Sequence, residues 1–94
     1  MENVIHESAA TFWQQYQSAI VVGMLPMFVV THNTLDFGDK YVARLLTILA
    51  GQTMHTPHIV LADTLEGIRE YAPSSCTPLP RDPRDSAVIV ETWL

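Results

Sequence analysis

The side chains in this chain that could do chemistry are four histidines, one cysteine, and scattered carboxylates and arginines. His55-Thr56-Pro57-His58 holds two histidines three residues apart, a spacing that zinc sites use. Cys76 is the single thiol and no second ligand pair is visible, so ordinary loop histidines are the competing reading and no metal is expected. Cys76 could act as a nucleophile with His32, His55 or His58 as its base. The flanking Ser74-Ser75-Cys76-Thr77-Pro78 carries nothing that would lower a thiol pKa, which favours an unreactive cysteine. His32, Asp36 and Asp39 flank a turn, where they could form an acid–base or metal site, or simply make the turn.

Two segments suit recognition better than catalysis. Arg81-Asp82-Pro83-Arg84-Asp85 combines guanidiniums that can take a carboxylate or phosphate with prolines that lower the entropy of the loop. Its other reading is a solvated connector with local ion pairs. Phe12, Trp13 and Tyr16 form an aromatic helix face that could anchor a partner or cover a sheet. Arg81, Asp82, Arg84, Asp85, Phe12, Trp13 and Tyr16 are therefore the candidate partner-binding residues; no catalytic residue is assigned. The ending Glu91-Thr92-Trp93-Leu94 has the x-Thr-x-Leu form of a PDZ ligand, but a place in the domain's own sheet competes for the same backbone. No dinucleotide-binding glycine fingerprint, P-loop, zinc-protease helix motif or serine-hydrolase elbow occurs, and no cofactor is expected.

The elements that must position these groups read as follows. Ile5, Ala9, Phe12, Tyr16 and Ile20 recur at helical spacing, giving a helix from about Glu7 to Val22. Gly23 fits its left-handed cap, and Pro26 follows where a helix cannot continue. Met27 to His32 is a strand, Asn33 to Asp39 a turn, and Lys40 to Leu49 the antiparallel hairpin partner, although a helix also fits that last segment. Gly51 to Thr56 reads as loop and His58 to Leu61 as a short strand. Asp63-Thr64-Leu65-Glu66 reads as a helix start with Asp63 as cap and Glu66 reaching back, the helix running to about Tyr71 before Pro73. Ser74 to Ala87 reads as an extended, proline-rich loop and Val88 to Leu94 as a closing strand. The expected architecture is a single α+β domain over residues 1–94, with an N-terminal helix and cap (1–24) and a sheet-forming core (27–94). It would have a sheet of about four strands with two helices packed on it. If the last two strands are neighbours, their connection should be right-handed.

Composition narrows the function. Ten acids against five bases give a net charge of −5, and Lys40, Arg44, Arg69, Arg81 and Arg84 form no stripe, so direct nucleic-acid binding is disfavoured. Hydrophobic residues make up 48% and charged residues 16%, the latter below the usual share of about 25%. That surplus of apolar material in 94 residues points to burial against a second chain, most simply in a homodimer. One cysteine cannot form an intrachain disulfide, which fits a cytoplasmic setting. The N-terminus has acids where a signal peptide has bases, and the longest apolar run, Ala19 to Val30, is about half the roughly 20 residues needed to span a bilayer.

Several segments together resemble a group of small uncharacterised bacterial proteins: Phe28-Val29-Val30-Thr31-His32-Asn33, Ala62 to Glu66, Leu79-Pro80-Arg81-Asp82-Pro83-Arg84-Asp85 and Val88-Ile89-Val90-Glu91-Thr92-Trp93-Leu94. That group shares a hairpin, a capped helix, an LPR-type loop and a terminal strand. The resemblance covers about two-thirds of the chain, lacks a counterpart for the first helix, and implies fold and bacterial or phage origin. No functional residue carries over. The expected function is a non-enzymatic protein-interaction module; an anti-CRISPR-like inhibitor of a host defence complex is a specific form of it. Two other readings stand beside it. One is a small enzyme or ligand-binding protein with His32, Asp36 and Arg44 near the hairpin. The other is a structural homo-oligomer.

Overall fold

A computed structural model describes residues 3–73, 76–79 and 88–94. The elements are β1 (Val4–Ile5), α1 (Ala9–Val21), β2 (Leu25–Thr34), β3 (Gly38–Leu49), β4 (Gln52–Ala62), α2 (Leu65–Arg69), β5 (Pro78–Leu79) and β6 (Ile89–Trp93). They build one six-stranded mixed sheet in the order β1-β4-β3-β2-β6-β5. β1 runs parallel to β4, and the other neighbours are antiparallel. The class is α+β, but the expectation of about four strands is corrected to six, and both helices are short.

The additional strand pairing comes from three places. The segment from Gly51 to Thr56, expected as loop, is mostly the first half of β4. Ala50 and Gly51 both take positive φ (52° and 78°) and join the paired Leu49 and Gln52. That is the geometry of the tight hairpin turn whose twist matches its strands. Val4–Ile5, expected just ahead of the helix, pairs with His58 and Ile59. Pro78–Leu79, inside the expected proline-rich loop, pairs with Trp93 and Thr92. The strands after Gly51 and after Ala87 are not neighbours either, because β3 and β2 lie between β4 and β6.

α1 begins at Ser8, whose side chain accepts from the Thr11 N–H. It ends in a two-bond cap: Met24 N–H donates to Ala19 O at 2.9 Å and Gly23 N–H to Ile20 O at 3.0 Å, with Gly23 at φ +86°. This reverse turn satisfies carbonyls that would otherwise be orphaned. Its buried stripe is Phe12, Tyr16 and Ala19, whereas Ile5 and Ile20 of the expected stripe are exposed. α2 is capped by Thr64, not Asp63: the Thr64 hydroxyl accepts from Gly67 N–H at 3.0 Å. Asp63 instead pairs with Lys40 across the sheet end.

Both helices cover the same face. Phe12 and Tyr16 of α1 and Ile68 of α2 meet Phe28, Val30, Ala43, Leu45 and Val60, which the register places on one side of β2, β3 and β4. Phe12 and Phe28 pack edge to face at 5.8 Å. On the opposite face Val29, Val42, Leu46 and Ile59 are buried as well, so these strands carry near-continuous apolar runs in place of clean alternation.

Candidate interaction surface

The described residues separate their charges along the strands. Residues 8–35 and 45–62 contain no Asp, Glu, Lys or Arg. Leu25, Leu49 and Gln52 are brought to one end of the sheet by the Leu25–Ile48 and Leu49–Gln52 pairs, and α1 finishes there. The other end holds the β2–β3 turn, the end of β4 and α2, and with them Asp36, Asp39, Lys40, Asp63, Glu66, Arg69 and Glu70. Arg44 and Glu91 lie at mid-strand, opposite Val29 and Val30. At about 3.3 Å per residue, the ends of β2 stand about 30 Å apart.

The uncharged end is also the apolar one. Val21 is 83% exposed and Val22 64%, and Ile20, Leu25, Leu49 and Met54 are each about half exposed. Soluble monomers scatter single apolar side chains over their surface, as Leu35 is at the far turn; here several lie together at one end. Beside it runs a strand edge. Among the described residues β4 has a neighbour on its outer side only at His58 and Ile59, which leaves Gln52 to Thr56 open. This segment has no charge to guard it against pairing with another strand.

The residues singled out by sequence fall elsewhere. Phe12 is fully buried and Tyr16 nearly so; they hold α1 on the sheet. Trp13 is 39% exposed, and its indole N–H donates to Tyr71 O at 2.7 Å, tying α1 to the segment after α2. Arg81, Asp82, Arg84 and Asp85 lie outside the described residues. Glu91 to Trp93 belong to β6, paired with β2, so that backbone is used within the domain.

His32 stacks on Tyr41 with ring centres 4.0 Å apart, and its Nε2 lies 3.1 Å from Asp39 O. Arg44 reaches Asp36 at 3.8 Å and Asn3 at 3.3 Å. The β2–β3 register puts His32 and Arg44 on opposite faces, so His32, Asp36 and Arg44 do not converge. His55 and His58, expected in a loop, lie on β4 and also face opposite sides, because strand side chains alternate. Cys76 is buried, with its thiol donating to Tyr16 Oη at 3.2 Å. Among the described residues no three His, Cys, Asp or Glu side chains converge as a metal site would require.

One histidine pair escapes any local reading. His6 Nε2 and His58 Nδ1 are 2.9 Å apart, and His6 Nδ1 lies 3.0 Å from Thr11 Oγ1. Only the parallel pairing of β1 with β4 makes this contact, and nothing around His6 in the sequence signals it. One ring nitrogen must donate and the other accept, so the contact cannot form with both rings protonated. Burial, and secondarily the charge of His6, lowers the His58 pKa from its ordinary 6.5. Glu91 is the other perturbed group of structural weight. Arg69 binds both its oxygens, at 2.9 and 3.0 Å, and the Trp93 indole N–H donates to one at 3.0 Å. The Arg69 hydrogen bonds hold its carboxyl below the usual range against the opposing effect of burial.

Two clefts flank the start of α1. One of about 280 Å³ is lined by Glu7, Ser8, Ala9, Glu70 and Tyr71, and a wide groove of about 580 Å³ by Ile5, His6, Glu7, Ser8 and Thr11. The hydroxyls of Ser8 and Thr11 are engaged in starting the helix, by Thr11 N–H to Ser8 Oγ and Thr11 Oγ1 to Ser8 O. Among the described residues no helix is long and apolar enough to cross a membrane. Comparison with protein families, with curated proteins and with solved structures finds no match to this chain.

Proposed function

We propose that the chain is a non-enzymatic protein-interaction module that engages a protein through its uncharged end. The observation that carries this reading is the exposure of Val21, Val22, Ile20, Leu25, Leu49 and Met54 at the one end of the sheet that bears no charged side chain among the described residues. Fully burying a Val or Leu side chain contributes about 1.5–3 kcal/mol, so a partner covering these residues gains a large hydrophobic term without desolvating a charge. The open β4 edge beside them supports the same reading, since it can add backbone hydrogen bonds to an incoming strand.

Affinity capture from a lysate that also contains the untagged wild-type chain tests it, with three versions as bait: wild type, Val22→Lys and Asp39→Asn. A lysine at Val22 sits where a helix C-terminus favours a cation, so the fold is not penalised while the surface gains a charge. Wild type and Asp39→Asn should recover the same protein and Val22→Lys should lose it. Equal recovery by all three, or no reproducible protein with any, would refute the reading.

A further inference from the structure

Resting on that reading, we infer that the protein covering the uncharged end is a second copy of this chain, closed end to end about a two-fold axis. The argument is electrostatic. The chain carries −5, so two copies repel wherever their acids meet. Asp36, Asp39, Asp63, Glu66 and Glu70 gather at the far end, and among the described residues the end bearing Val21, Val22, Leu25 and Leu49 has no charged side chain. Joining the uncharged ends would hold the acidic ends on the order of 60 Å apart, several times the Debye length of about 8 Å in physiological salt. Among the described residues, any other approach brings like charges closer.

The same feature limits the competitors. Among the described residues a basic or acidic partner finds no charged side chain to pair with here, so the occupant must itself present an uncharged apolar surface. A second copy supplies one of matching kind, and a two-fold contact requires only that a patch complement itself. A lipid surface is the poorer occupant. Membrane-binding faces pair apolar residues with Lys or Arg, whereas every described base of this chain lies at mid-strand or at the acidic end. Composition agrees on the charged side: charged residues are 16% of the chain, below the usual share of about 25%, so less of the surface is guarded against self-association.

Sedimentation of the whole chain from about 1 µM to about 1 mM, a range spanning moderate and weak association, tests the inference. The mass should rise from 10.5 kDa to twice that value and then stop. Val22→Lys and Val21→Lys should each weaken the association at least about tenfold, since each places two cations in an apolar contact, while circular dichroism stays that of the wild type. Asp39→Asn should change it little. A wild-type chain that remains monomeric throughout overturns the second copy as occupant, and the capture comparison above then separately decides whether the end is a contact surface. A dimer that neither lysine variant weakens, or growth past the dimer, also overturns it.

Discussion

Replacing Phe12 by alanine removes the ring that fastens α1 to the sheet. Phe12 is fully buried, with Phe28 edge-on at 5.8 Å and 72° and His6 at 5.8 Å and 71°. Deleting a buried phenylalanine ring costs about 3–5 kcal/mol through lost transfer energy and the cavity left behind. Domains of this size hold about 5–15 kcal/mol in total, so a large share is at stake. At roughly 4–8 °C per kcal/mol, the midpoint should fall by at least about 12 °C. α1 has 13 residues, a length that is marginal for an isolated helix in water, so its helicity depends on this anchor. Urea denaturation followed by tryptophan fluorescence measures the loss, and far-UV circular dichroism reports the helix. If the variant unfolds during purification, Phe12→Leu should show a smaller loss in the same direction. A loss under about 1 kcal/mol for Phe12→Ala would refute the packing argument and return Phe12 to the list of surface anchors.

Other perturbations separate further parts of the reasoning. Thr64→Ala should cost about 1 kcal/mol by thermal denaturation because it removes the cap of α2, whereas Asp63→Ala, which loses only an exposed pair with Lys40, should leave stability unchanged within error. The reverse ranking would reinstate Asp63 as the cap. Ala50→Gly should raise stability by up to about 1 kcal/mol, because an alanine at φ +52° is held where glycine is free of steric cost. No gain in the melting midpoint would argue against that turn geometry. The lowered folded-state pKa of His58 means the unfolded chain binds a proton more readily. The stability it contributes is therefore complete above pH 6.5 and lost as pH falls through the lower folded value. Melting midpoints should drop between about pH 7 and pH 5. His58→Gln should flatten that drop; an unchanged profile would show that the pair does not couple to folding.

Much of the local structure was legible because its causes are local. The i, i+4 spacing of Phe12 and Tyr16, the cap at Gly23, the β2–β3 hairpin and the terminal strand each depend on a few consecutive residues. The low share of charged residues was also visible. Gln52 to Thr56 was not legible as strand: it is polar, shows no alternation of hydrophobic and polar positions, and is extended because Ala50-Gly51 turns it back onto β3. Val4–Ile5 is too short to announce a strand and exists through β4. Thr64 and not Asp63 is the cap because the helix begins one residue later, at Leu65, with Thr64 extended and its hydroxyl accepting from Gly67 N–H, while Asp63 pairs with Lys40, a residue 23 positions away. The His6–His58 contact and the separation of charged from apolar ends have the same origin. Both are set by which distant segments lie side by side, and strand order is decided by how two helices and six strands together bury one set of apolar faces.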